Sequence, residues 1–222
     1  MAFAIDTGST GTSLGPWITW SSNGSAMKGI PHSAWVLRSK DEQGNKLEAA
    51  HPAFVNGCVM DIDSLKLGWE KDGAKGMAPE RKWSPSIAQS MQRPDESKKP
   101  NTNTFAWSRA LSVRLAIGGG QAATWEQGSF AAYEAFTKLA VAIAAQYPGD
   151  NTLPLIQQAG VEKRDLPNGS ANIPILTIVK WVPRPDCLKA DAPVIATAPA
   201  PQQAAAITPP PAATSVPADA AF

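Results

Sequence analysis

Eight tryptophans stand beside only two tyrosines and six phenylalanines, and several of them have Lys or Arg close by in sequence. Trp35 lies near Arg38 and Lys40, Trp69 near Lys66 and Lys71, Trp83 next to Arg81 and Lys82, and Trp107 close to Arg109. An indole face can stack a nucleobase while a neighbouring cation meets the phosphate. This pairing binds single-stranded nucleic acid without reading its sequence, each stacked base contributing about 1–3 kcal/mol. Burial in a core is the competing use of the same ring. Trp69, Trp107 and Trp181 fall on apolar strand faces and read as core, whereas Trp17, Trp20, Trp35, Trp83 and Trp125 have weaker core patterns and are the stacking candidates. The expected binding set is Trp20, Trp35, Trp69 and Trp83 with Arg38, Lys40, Lys66, Lys71 and Arg109, Trp69 being carried in both sets because of its two lysine neighbours.

Other chemistry is thinly represented. Gly118-Gly119-Gly120 would cradle a phosphate if a helix began directly after it, but a strand-like Gln121 to Gln127 follows, so the triplet reads as a tight hairpin connection. Cys58 and Cys187 are far apart and belong to no Cys-x-x-Cys pair, and His32 and His51 lie outside the short spacings of a local metal motif. No metal and no cofactor are therefore expected. Asp6-Thr7-Gly8 after apolar residues is similar to the aspartic protease motif, in which two carboxylates share a proton, and the surrounding string also resembles the first phosphate loop of the actin and sugar-kinase superfamily. The motif has little strand before it and no second copy, which leaves a dimeric protease using Asp6 as a lesser alternative to a flexible lead.

These residues need elements to position them. The 222 residues carry a net charge of +1, which excludes a histone-like polycation and an acidic, wholly disordered chain. Residues 1–15 read as a flexible lead. Short strands are expected at about 17–20, 33–39, 53–61 and 63–70, the last alternating Leu65, Leu67 and Trp69 against Ser64, Lys66 and Glu70. The stretch 71–103, with seven basic and four acidic residues and no apolar period, reads as a long excursion from a sheet. The firmest strand is 105–117, whose apolar face is interrupted only by Arg109, and it should return as Gln121 to Gln127. Ser129 offers an N-cap for a helix carrying Tyr133, Phe136, Ala140 and Ile143, which Pro148 and Gly149 stop. A shorter apolar stretch at Leu153 to Gln158 and an interior strand at Ile173 to Val182 complete the body. The pattern predicts a mainly β domain over 16–188 with one amphipathic helix, an OB-fold-like small barrel or twisted antiparallel sheet.

From residue 190 onward, thirteen Ala and seven Pro in 33 positions predict a disordered tail, assigned to 189–222. A β body followed by a Pro/Ala/Gln-rich linker and Ala218-Asp219-Ala220-Ala221-Phe222 resembles the organisation of bacterial single-stranded DNA-binding proteins. In that family an acidic tip ending in Pro-Phe docks on replication and repair proteins, which implies a docking role for Asp219 and Phe222; Ala221 stands where the family has Pro. The body is similar to uncharacterised phage and prophage proteins through Val59-Met60-Asp61-Ile62-Asp63, Leu67-Gly68-Trp69, Ala78-Pro79-Glu80, Ala123-Thr124-Trp125-Glu126 and Val179-Lys180-Trp181-Val182-Pro183-Arg184-Pro185. That resemblance implies phage DNA replication or recombination.

The sequence-level expectation is thus a non-enzymatic protein that coats single-stranded DNA in the cytoplasm of an infected or lysogenic bacterial host, as a homo-oligomer without membrane contact. A structural or assembly protein of a phage particle is the alternative, in which the tryptophans bury protein interfaces.

Overall fold

The computed structural model describes residues 16–189 apart from 42, 74–78, 87–88, 90, 101–103 and 167–168. Nine strands are present among them: β1 (Trp17–Ser21), β2 (Ala34–Lys40), β3 (Lys46–Ala50), β4 (Cys58–Lys71), β5 (Glu80–Trp83), β6 (Trp107–Ile117), β7 (Gln121–Gln127), β8 (Leu153–Leu166) and β9 (Gly169–Val182). They form one sheet in the order β3-β2-β1-β7-β6-β4-β8-β9, with β5 added to β4. All the pairings are antiparallel except β1 with β7. The sheet curls into a half-barrel, so the mainly β class holds.

Side chains from opposite ends of the sheet fasten that curl. Trp20 on β1 donates its Nε1 to the Asn172 carbonyl of β9 at 2.7 Å, and Trp35 on β2 donates to Gln158 Oε1 of β8 at 2.8 Å. Their rings then fill the trough. Trp35 stacks on Phe54 with centroids 3.8 Å apart, and Trp125, fully buried, meets Trp35, Phe54 and Phe136 edge-on. Burying each such ring stabilises the fold by about 1.5–3 kcal/mol or more.

The helix α2 (Phe130–Gln146) closes the trough from the inside. Ser129 caps it by accepting from the Ala132 amide, and Ala131, Ala132, Ala135, Phe136 and Leu139 are buried. Three of those five buried residues are alanines, which lets the helix sit close to β9 and β6. The expected hairpin is also present: β6 and β7 pair from Leu111↔Gln127 to Ile117↔Gln121, and Gly119 and Gly120 take φ of 74° and 73° at the turn.

Several boundaries differ from expectation. The segment 53–61 opens as a single helical turn, α1 (Ala53–Asn56), because Pro52 cannot continue a ladder and Phe54 turns into the core. β4 then runs unbroken through Asp63 with a bulge between Asp61 and Lys66. β3 and β5 were not foreseen, and β8 continues eight residues past Gln158 because its polar half alternates with a solvent-facing side of β9. Trp181, expected in the core, is half-buried and tilts against Tyr147 at 5.5 Å.

A second, smaller core lies on the outer face of the sheet, where Ala116, Leu153 and Leu188 meet Val59, Ile62 and Cys187. Arg184 reaches the buried Asp61 at 2.7 Å and also pairs with Asp63, while Arg114 donates to the Cys187 and Leu188 carbonyls. Segments 59–63 and 179–185, far apart in sequence, are therefore joined by one ion-pair cluster.

Candidate nucleic-acid interface

The inner face of the sheet continues past the end of α2 along β4, β5 and β6, and there its pattern changes from apolar to alternating. Strand register sets two adjacent rows. Arg109, Trp69 and Lys82 lie side by side across β6, β4 and β5, followed by Trp107, Lys71 and Glu80. Alternation along each strand keeps both rows on one face. Gly68 allows β5 to approach this closely, since a Cβ there would lie 2.1 Å from the Lys82 carbonyl oxygen.

Segment 91–99 lies over this face and is clipped to it by the indole N–H groups. Trp69 Nε1 donates to the Met91 carbonyl at 3.0 Å, and Trp107 Nε1 donates to Asp95 Oδ2 at 2.8 Å. Hydrogen bonds from Ser97 and Trp107 hold the Asp95 carboxyl down to about 2. Lys98 pairs with Phe105 as a bridge, with Ala106 N bonded to the Ser97 carbonyl at 2.7 Å beside it.

The outcome is a chain of alternating cations and rings. Lys98 Nζ is 3.2 Å and Arg93 Cζ 3.6 Å from the Phe105 centroid; Arg93 is also 5.1 Å from Trp69, and Arg109 lies 4.2 Å from Trp69. Lys82 and Lys71 stand 5.1 and 5.8 Å from Trp107. Each desolvated cation–ring contact is worth up to about 2 kcal/mol and about 0.5–1 at exposed sites. Among the described residues, none of Lys71, Arg93, Lys98 and Arg109 forms an ion pair. By contrast Arg81, one position away on the opposite face, is neutralised by Glu70 at 2.7 Å and Glu126 at 2.6 Å. Lys71 still feels the Asp95 carboxylate, whereas Lys98 and Arg109 are exposed and without an ion pair among the described residues; Lys82, also exposed, is only loosely countered by Glu80 at 3.8 Å.

The expected site residues divide accordingly. Trp69, Lys71 and Arg109 are brought together here. Trp20, Trp35 and Trp69 cannot stack bases, because they are 4, 2 and 5% exposed and their N–H groups are committed to Asn172, Gln158 and Met91. Trp125, another stacking candidate, is sealed in the core, and Trp17 is half-buried on β1. Trp83 is half-buried and shares the face of Arg81 rather than that of Lys82. Lys66 projects on that opposite face too, by the alternation along β4. Arg38 and Lys40 lie on β2, on the far side of β1 and β7 from β6, with Arg38 beside Glu48 at 3.4 Å. Those three cations are corrections to the expected groove.

Arg93, Lys98 and Phe105 were missed as members of the site. The one signal was the basic excess of 71–103, since their meeting depends on segment 91–99 folding back over β4 and β6. Asp6, Asp219 and Phe222 lie outside the described residues. Among the described residues no three His, Cys, Asp or Glu side chains gather to hold a metal, and no helix is long and apolar enough to cross a membrane. His51 is tied into the fold, its Nδ1 accepting from the Ala53 amide and burial pushing its pKa down. No protein-family model, curated protein or solved structure matches the chain.

Proposed function

We propose that the chain is a non-enzymatic single-stranded DNA-binding protein of phage replication or recombination, acting in the bacterial cytoplasm. The observation that supports this reading is the Lys98–Phe105–Arg93–Trp69–Arg109 chain, three cations in succession held by rings and free of ion pairs among the described residues. The tryptophans have a different role from the one their sequence neighbours suggest. They fix the cations, and the cations meet the strand: Lys98 and Lys82 at phosphates, and the exposed Arg109 guanidinium at a phosphate or against a base plane. Docking of replication or recombination proteins through Asp219 and Phe222 belongs to the same proposal.

The test is fluorescence anisotropy of labelled oligo-dT with the full chain. Saturable binding at micromolar protein that is lost in the Arg93→Ala/Lys98→Ala/Arg109→Ala variant supports the reading, and absence of binding by the wild-type chain at low salt overturns it. A second reading, a structural or assembly protein of a phage particle, is favoured by exposed apolar residues on β8 and β9, including Val161, Ile175 and Val179, since the five buried tryptophans lie within the chain's own fold. Large assemblies that ignore DNA in sedimentation would select it.

A further inference from the structure

We propose that β9 is a self-association edge that pairs antiparallel with β9 of a second copy about a twofold axis at Thr177. β9 ends the sheet and pairs with β8 alone among the described residues. The Asn172 carbonyl faces away from β8, since it accepts from Trp20 Nε1 at 2.7 Å and Ser22 Oγ at 3.2 Å. Alternation then turns the main-chain groups of Pro174, Leu176 and Ile178 outward as well. Pro174, which has no N–H to give, occupies one of those outward positions, where β8 requires none.

Edge strands are ordinarily defended by charge. In Gly169–Val182 only Lys180 is charged, and Ile175, Thr177 and Val179 form an exposed row on one face, with Ile175 43% and Val179 53% exposed. These features select a register. Pairing Leu176 with Ile178 of the second copy, and the reverse, joins complete N–H and carbonyl sets and keeps the missing Pro174 donor out of the ladder. The same register sets Ile175 against Val179 of the second copy and Thr177 against its own copy, and it places Lys180 opposite Pro174 instead of another cation. The Trp20 contact at Asn172 bounds the pairing at one end, and the bulge at Val179 bounds it at the other. A second copy is favoured over a foreign strand because the edge is complementary to itself about Thr177.

The test uses the full chain in analytical ultracentrifugation. A concentration-dependent dimer is expected for the wild type, and Ile175→Lys/Val179→Lys, which changes two exposed side chains, is expected to be monomeric with an unchanged circular dichroism spectrum. Ile175→Lys/Val179→Glu should recover the dimer, because in this register each Lys meets a Glu of the second copy. Thr177 partners would lie about 4.5 Å apart at a non-hydrogen-bonded pair. Thr177→Cys in a Cys187→Ser background should therefore form an interchain disulfide on mild oxidation. A wild-type monomer at all concentrations overturns the proposal, as does a dimer that survives the double lysine change or a Thr177→Cys variant that forms no interchain cross-link.

Discussion

Arg109 on β6 and Trp69 on β4 are direct cross-strand partners, and the guanidinium carbon lies 4.2 Å from the centre of the indole ring. The ring is 5% exposed while the arginine is open to solvent, so the pair presents a positioned cation and not an aromatic platform. Replacing Arg109 by Ala should weaken oligo-dT binding. Arg109→Lys should recover only part of the loss, because an ammonium keeps the charge without the planar fork or its stacking surface. Anisotropy titrations at one salt concentration distinguish the two; equal affinities for wild type and Arg109→Ala would remove Arg109 from the site.

Trp20 fixes the curl of the sheet and, at 4% exposed, offers no face for stacking. Trp20→Phe keeps most of the ring but deletes the donor to the Asn172 carbonyl, a loss of about 1–2 kcal/mol of stability. Urea unfolding should show the lowered midpoint, and the affinity for oligo-dT should stay unchanged at temperatures where the variant is folded.

The Asp95 clip gives a pH signature. Its carboxyl is held from the ordinary 3.8 down to about 2 by hydrogen bonds from Ser97 and Trp107. A depressed carboxylate stabilises the folded state above its unfolded pKa and loses that contribution as pH falls through the folded one. The stability difference between wild type and Asp95→Asn should therefore be constant above pH of about 4 and shrink toward pH of about 2. Urea midpoints measured across that range check it; a difference that is flat with pH would show that the carboxylate charge plays no part.

Arg184 neutralises Asp61, which is 3% exposed on the outer face. Arg184→Ala leaves a carboxylate buried without its partner, and removal of one member of such a pair costs about 3–5 kcal/mol. Thermal unfolding should register this as one of the most destabilising single changes in the chain. Arg184→Ala/Asp61→Asn should recover part of the loss, since it removes the uncompensated charge.

The sheet was legible where local alternation was strong. The β6–β7 hairpin and the Ser129-capped helix follow from period, glycine and cap residues that need no distant partner. The tryptophans were read less well for a physical reason. Trp20 and Trp35 sit in short strands with polar neighbours, and their burial depends on Asn172 and Gln158, more than a hundred residues away, which no local pattern carries. Sequence proximity likewise placed Arg109 with Trp107, whereas strand register gives it to Trp69 and gives Trp107 to Lys71 and Lys82. Interleaving of aromatic and basic residues signalled contact at Trp69 and Trp107 but not at Trp35 or Trp83, over which no cation lies among the described residues, and pairing across strands, not spacing along one, decided which residue met which.

The salt dependence of oligo-dT binding tests the central claim most directly. Each phosphate neutralised on a single strand contributes about −0.7 to the slope of log K against log salt. Arg93→Ala/Lys98→Ala/Arg109→Ala, which removes the phosphate contact of Lys98 and that of Arg109 where it meets a phosphate, should therefore bind more weakly and with a slope shallower by about 0.7–1.4 than the wild type. Parallel slopes for the two proteins would contradict the account, because they would mean that the strand is held by charges elsewhere on the molecule.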